Sequence, residues 1–260
     1  MTDQSSQFPK FYMTTPCPCP YLEGKIERKI FTELKDQRLN YDKQAILQQH
    51  HGQNANNYAE NLHHSLALVG FRRSQDIAYR PACTDCSECK SVRVPVLLFV
   101  PSKSQRRIIK KNEDISVKLK PNTATDEQYD LLSKYINTRH PLGGMVGISK
   151  EEYGEMVECS PIKSHIFEYR LNTGKLVGVV LCDEMLDGFS MVYSFFDVTA
   201  AMNKRSLGAY MVLNQIDMLR SQGLDYVYLG YLVKDSPKMS YKMNFQPLET
   251  LYATGWKIMK

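Results

Sequence analysis

The sequence predicts an α+β protein in two parts. A small helical, cysteine-containing domain covers residues 1–90 and a larger sheet-and-helix domain covers residues 91–260. Three observations lead there. Before residue 78 the segments are polar, with apolar residues at helical spacing. From Val92 onward, runs rich in β-branched and aromatic residues alternate with segments that carry helix-capping signatures. Between the two lies Tyr79–Val96, which holds three of the seven cysteines, Cys83, Cys86 and Cys89, at C-x2-C-x2-C spacing.

Taken in order, Leu22–Leu34 places Leu22, Ile26, Ile30 and Leu34 four apart, the stripe of a helix. Tyr41–Gln49 and Ala59–Leu68 are further helix candidates. His50, His51, His63 and His64 form pairs that resemble ligands, although paired histidines in polar segments are ordinarily surface residues. Gly70–Gln75 reads as a basic turn before a short strand, Ile77–Tyr79. Val92–Val100 is a strand whose Pro95 marks a sheet edge or a bulge. A helix follows to Asn112, N-capped by Ser102 or Ser104. Thr125-Asp-Glu-Gln128 and Ser149-Lys-Glu-Glu152 open two more helices, to Thr138 and Cys159. Strands are expected over His165–Leu171, Lys175–Met185 and Phe189–Val198, with Asn172–Gly174 and Asp187-Gly188 as turns. Ser206–Gln222 is an amphipathic helix ending at Gly223. Tyr226–Val233 is a strand interrupted by Gly230, Ser236–Met243 a short helix, and Pro247–Ile258 the last strand.

The hydrophobic fraction of 43% is that of an ordinary globular chain, and no apolar run approaches the roughly 18 residues a membrane helix needs. No basic stretch followed by an apolar one opens the chain, so a cytoplasmic protein without membrane contact is expected. Its cysteines are then reduced, metal-bound or redox-active rather than disulfide-bonded. The C-x2-C-x2-C loop lets neighbouring thiolates face one centre, and Cys17-Pro-Cys19-Pro is placed to fold back on it. The spacing lacks the fourth cysteine and following proline of a ferredoxin run.

A net charge of +5 is mild, but its distribution is uneven. Lys103, Arg106, Arg107, Lys110, Lys111, Lys118 and Lys120 face only Glu113 and Asp114 within Pro101–Lys120. Such a patch fits a polyanion, nucleic acid above all, or a solvated helix face. Arg106 and Arg107 fall near a helix N-terminus. There the dipole disfavours cations by roughly a few tenths of a kcal/mol, so their charge serves a partner.

The element order from Val92 resembles the GNAT acyltransferase fold. In that fold the acyl donor lies where the fourth and fifth strands splay apart, here Phe189–Val198 and Tyr226–Val233. A loop of pattern R/Q-x-x-G-x-G/A grips coenzyme A phosphates there; this chain has Arg205-Ser-Leu-Gly208-Ala209-Tyr210, and Tyr210 crowds a phosphate. A donor other than coenzyme A is therefore plausible.

Longer blocks carry a more specific resemblance. They include Pro18-Cys-Pro-Tyr-Leu22, Glu27-Arg-Lys-Ile-Phe31, Gly70-Phe-Arg-Arg-Ser-Gln75, Tyr79-Arg-Pro-Ala-Cys83 and Pro101-Ser-Lys-Ser-Gln-Arg-Arg107. Arg139-His140, Gly143-Gly-Met145, Val192-Tyr-Ser-Phe195, Arg205-Ser-Leu-Gly208, Tyr226-Val-Tyr-Leu-Gly-Tyr231 and Lys238-Met-Ser-Tyr-Lys242 continue the series. Together they span almost the whole chain. The chain resembles the bacterial aspartate/glutamate leucyltransferases, the prokaryotic branch of the arginyl-tRNA–protein transferase family. Phe196-Asp197-Val198 departs from a Phe-x-Asp-Pro pattern frequent in that family, and Cys17 is extra to its single Pro-Cys-x-Tyr-Leu cysteine.

The resemblance implies transfer of an amino acid, leucine from Leu-tRNA, onto proteins beginning with Asp or Glu, marking them for N-end-rule degradation. It implies no cofactor for the transfer itself. Relatives cluster cysteines similarly, so zinc or an iron–sulfur cluster at Cys19, Cys83, Cys86 and Cys89 is expected, with Cys17 in reserve. Asp197, Tyr193, Tyr228 and Tyr231 are the candidates to orient or deprotonate the acceptor amine. An acidic acceptor needs a cation. Arg72, Arg73, Arg80, Arg106 and Arg107 are candidates for that role or for tRNA phosphates, and Lys110, Lys111, Arg205, Lys238 and Lys242 complete the substrate-binding set. Met145 or Phe195 would line a leucyl pocket. The rival readings are transfer of another amino acid such as arginine, a coenzyme A-dependent N-acetyltransferase, and a non-catalytic metal-dependent RNA-binding module.

Overall fold

A computed structural model describes residues 9–35 and 52–259, with side chains from Tyr58 onward in the second stretch. The chain forms two compact units. Residues 1–92, 230–244 and 249–260 make the first; residues 93–229 and 245–248 make the second.

In the first unit, β1 (Tyr12–Met13), β4 (Lys29–Glu33), β5 (Arg72–Ser74) and β6 (Ile77–Pro81) form a sheet in the order β1-β4-β6-β5. A small antiparallel pair joins β2 (Cys17–Pro18) to β3 (Ile26–Glu27). Helix α1 (Gly52–Leu68) adds Leu66 to a core with Leu34 and Ala78. The hairpin of β13 (Glu249–Tyr252) and β14 (Gly255–Ile258) belongs to the same unit.

Several expectations are corrected here. Leu22–Leu34 is not a helix but carries β3 and β4. Apolar residues every four positions also share one face of a strand, because four is a multiple of two. The burial alternates accordingly, with Thr32 and Leu34 inside and Glu33 and Lys35 outside. Gly70–Gln75 is more than a turn, since Arg72–Ser74 pairs with β6. The single last strand is a hairpin. His63 lies buried rather than at the surface. Tyr41–Gln49, His50 and His51 lie outside the described residues.

In the second unit six strands run in the order β7-β12-β11-β10-β9-β8. These are β7 (Lys90–Pro95), β8 (Ile115–Lys120), β9 (Ser164–Leu171), β10 (Leu176–Met185), β11 (Gly188–Phe196) and β12 (Tyr226–Leu232). β8 through β11 pair antiparallel, and β12 runs parallel to β11. β10 is buried on both faces, so its sequence is a nearly continuous apolar run. Val179 and Leu181 join the core beneath α3 (Asp126–Arg139) and α4 (Lys150–Glu158). Gly178 meets Met211, and Cys182 donates to Gln215, both on α6 (Leu207–Ser221).

Ser102, Thr125 and Ser149 cap α2 (Lys103–Lys111), α3 and α4 with complete capping boxes. Gly223, at φ +71°, closes α6 with Leu224 N–H on the Leu219 carbonyl. Four elements depart from expectation. β7 ends at Pro95, β8 is an extra strand, and Ala200–Asn203 forms a short helix, α5. Ser236–Met243 shortens to a 3-10 turn over Ser240–Asn244.

Candidate active site

The second unit supplies a parting of strands. β11 has nine residues, yet its register with β12 covers only Gly188–Ser190 against Tyr226–Tyr228. Gly188 allows the approach, since a Cβ there would stand 1.9 Å from the Tyr226 carbonyl oxygen. Tyr228 sits at this closed end. Arg93 Nη1 donates to its hydroxyl at 3.0 Å, and the hydroxyl donates to Asp187 at 2.8 Å. The Arg93 guanidinium also stacks 3.5 Å from the Tyr226 ring centroid. Burial and the Asp187 carboxylate push the Tyr228 phenol well above its ordinary pKa, so this buried network holds strands together by hydrogen bonds.

Tyr193 and Asp197 lie on and after the free length of β11. Tyr193 packs 6.3 Å from Phe195, and burial with Tyr135 nearby pushes its phenol up to about 12. It remains a proton donor at neutral pH. Asp197 accepts from Lys175 Nζ at 2.7 Å and from the Thr199 backbone N–H at 2.8 Å. Burial raises its pKa, but these bonds outweigh it and hold the carboxyl below the usual range. It is a carboxylate, weakly basic, anchoring the turn into α5.

The loop before α6 is committed to structure. Arg205 binds the Asp114 carboxylate, the Asn112 side chain at 3.0 Å and the Lys111 carbonyl at 2.7 Å. A Cβ on Gly208 would lie 3.0 Å from the Phe196 ring. Tyr210 lies in the first turn of α6 and is buried. It turns inward, edge-on to Tyr169 at 6.0 Å.

Helix α2 carries the basic patch. Arg106, Arg107, Lys110 and Lys111 are all exposed. Arg106 donates to the Pro101 carbonyl and Lys111 to the Lys204 carbonyl at 2.6 Å each. Arg107 and Lys110 have no hydrogen-bond or ion-pair partner among the described residues.

In the first unit Cys19, Cys83, Cys86 and Cys89 line one cavity with Tyr21, Tyr79 and Tyr231. Burial, then the proximity of Cys19, Cys83 and Cys86, pushes the Cys89 thiol up to about 12. Cys17 stays apart, donating to Glu27 at 3.4 Å. Soft sulfur donors suit zinc or an iron–sulfur cluster. As they stand, no three His, Cys, Asp or Glu side chains among the described residues are arranged to hold a metal ion.

Beside that cavity the arginines divide. Arg73 is buried and donates to the Gln75 carbonyl at 2.7 Å; Arg80 donates to the Val69 carbonyl at 3.0 Å. Arg72 lies across Gly230, whose Cβ would come within 2.5 Å of Nη1. The Tyr231 hydroxyl sits 2.9 Å from the carbonyls of both Gly70 and Tyr79, which makes it a clasp between strands. Lys242 is buried and donates to the Tyr231 carbonyl, whereas Lys238 is exposed. The sequence marks Arg72 and Lys242 as site candidates and Gly230 only as an interruption of its strand; Lys175 and Tyr21 are not singled out for the site. A lone glycine inside a strand pattern was the available signal for a close backbone approach.

An α+β protein emerges, with a parted strand pair, a basic helix and a buried cationic corner. Residues 17–107 match the family described as arginine-tRNA-protein transferase, N terminus, and residues 127–252 match its C terminus. The aspartate/glutamate leucyltransferase of Parvibaculum lavamentivorans is 46% identical over 99% of this chain and 98% of its own. That of Sphingomonas elodea is 42% identical over 98% and 92%. The solved structure of L-PGS from Bacillus licheniformis aligns over 62% of this chain and 57% of its own, with a TM-score of 0.48 and 14% identity. The chain belongs to the arginine-tRNA–protein transferase family.

Proposed function

We propose that this enzyme moves leucine from Leu-tRNA to the amino terminus of proteins that begin with Asp or Glu, in the cytoplasm, marking them for N-end-rule degradation. The observation that carries this reading is similarity at 42–46% identity, over nearly the whole chain, to relatives named for that activity. The acceptor's α-nitrogen attacks the leucyl ester carbonyl. A peptide bond forms, the ester bond to the tRNA ribose breaks, and the ribose oxygen leaves as a hydroxyl. The ester is already activated, so the transfer needs no ATP, covalent nucleophile or cofactor.

An α-amino group has a pKa near 7.7–8.0, so roughly a tenth or more is neutral at pH 7. Catalysis then rests on positioning the neutral amine and stabilising the oxyanion. Tyr193 suits oxyanion stabilisation because its phenol stays protonated. Asp197, an anchored carboxylate, suits orientation of the ammonium before it loses its proton. Exposed Arg107 and Lys110 suit tRNA phosphates. The engagement of Arg205 by Asp114 and Asn112 argues against the coenzyme A reading.

Incubation with charged tRNA pools and peptides of differing first residue, read by mass spectrometry, tests the proposal. An Asp-first peptide gains one leucine from Leu-tRNA. If only another aminoacyl donor works, leucine is the wrong donor. If none works, the transfer reading fails for this chain. A metal at the cysteine cavity is a separate part of the proposal. Metal analysis of protein purified without air or chelator reads it, and stoichiometry near zero removes it.

A further inference from the structure

Lys242 is a buried charge that the transfer chemistry above does not use. It lies in the 3-10 turn Ser240–Asn244, 6% exposed, with its ammonium donating to the Tyr231 carbonyl. Burial, then the Arg72 guanidinium, pulls its pKa down to about 7. No described carboxylate acts on Lys242 to raise it. A second cation is thus the neighbour that a buried lysine least tolerates.

The surroundings fix Arg72 in that position. Gly230 has φ +72°, a conformation that glycine adopts without strain, and its missing Cβ leaves room for the guanidinium. Tyr21, Tyr231 and Tyr241 all feel the charge of Arg72. Tyr21 and Tyr231 also line the cavity described above. Arg72 is half-buried and Tyr241 exposed, so a ligand can reach this corner. A planar guanidinium, a buried ammonium and aromatic walls are the complement of a small carboxylate. Such an anion would relieve the repulsion between the two cations and offset the cost of desolvating them.

We infer that Arg72 and Lys242 form the pocket that takes the side-chain carboxylate of the acceptor's first residue. This rests on the proposed acceptance of Asp and Glu amino termini. The cations of the first unit then divide by role. Arg72 and Lys242 read the acceptor, while Arg73 and Arg80 donate to the backbone carbonyls of Gln75 and Val69.

Direct binding, without tRNA, of matched peptides beginning with Asp or Asn tests it. The wild-type enzyme binds the Asp peptide at least tenfold more tightly. Lys242→Gln weakens the Asp peptide at least tenfold and leaves the Asn peptide unchanged, so the ratio falls toward one. Arg72→Lys keeps the charge, loses the planar fork, and lowers the ratio partway. Leu-tRNA affinity is unchanged in both. Equal weakening of both peptides, an unchanged ratio in the variants, or no Asp preference in the wild type overturns the inference. If Lys242→Gln fails to fold, the ratio measured on Arg72→Lys decides. Because tRNA is absent, failure of leucine transfer leaves this measurement intact, and the two outcomes are distinguishable.

Discussion

Asp197 and Gly230 show how much one residue's surroundings decide. Folding holds the Asp197 carboxyl below its ordinary pKa. Its stabilisation is therefore present above the unfolded value near 3.9 and is lost as pH falls through the folded value. Lys175 is 55% exposed, so solvent screens the pair and its worth is about 0.5–1 kcal/mol. Asp197→Asn should lower stability by about that amount at pH 7. Urea melts of variant and parent should converge as the pH falls below the ordinary carboxylate pKa near 3.9. Under the proposed role, the same variant lowers turnover more than tRNA affinity. Gly230→Ala places a methyl group 2.5 Å from Arg72 Nη1 in a left-handed backbone. The conformation alone costs about 1–2 kcal/mol. Thermal unfolding should show that loss, and displacement of Arg72 should reduce the preference for Asp-first peptides.

At the scale of elements, α2 is the sharpest test of the nucleic-acid reading. Arg107→Ala and Lys110→Ala should each weaken tRNA binding and flatten its salt dependence. The slope should fall by about 0.7–0.9 for each phosphate no longer neutralised. Binding titrations at several salt concentrations give that slope, and unchanged values would remove α2 from the tRNA surface. Helices were the most legible elements because their signals are local. Each capping box lies within four residues, and Ser102, Thr125 and Ser149 cap where the sequence places them. Strands were less legible. β8 is an edge strand whose Lys118 and Lys120 made it look like part of a solvated basic run. β4 resembles a helix in sequence because its apolar spacing satisfies both periods. The candidate site was legible as a set of residue types, while its division was not. Arg72 lies against Gly230, about 160 residues further along the chain, whereas Arg73, next to it in sequence, is buried and bonds Gln75.

For the whole molecule, the composition of the first unit makes a prediction. Tyr231, Val233 and Met239 pack with Tyr21, Leu22, Tyr79 and Cys89, and the Tyr231 hydroxyl reaches the Gly70 and Tyr79 carbonyls. A fragment of residues 1–92 lacks all three apolar side chains. Expressed alone, it should give collapsed amide dispersion in a proton–nitrogen NMR spectrum. Covalent linkage to residues 230–260 should restore part of the dispersion. A well-dispersed spectrum from residues 1–92 alone would show that the later segments are dispensable for its fold.

The Tyr231 clasp also has a consequence for biosynthesis. A ribosome releases the first unit's opening segment long before it makes the residue that fastens it. Between Val92 and Gly230 lie about 140 residues, which at roughly 5–20 residues per second take about 7–28 s. During that interval the nascent chain presents Tyr21, Leu22, Tyr79 and the C-x2-C-x2-C thiols without their apolar cover. The cell must keep this stretch reduced and unaggregated until about the last eighth of the chain emerges.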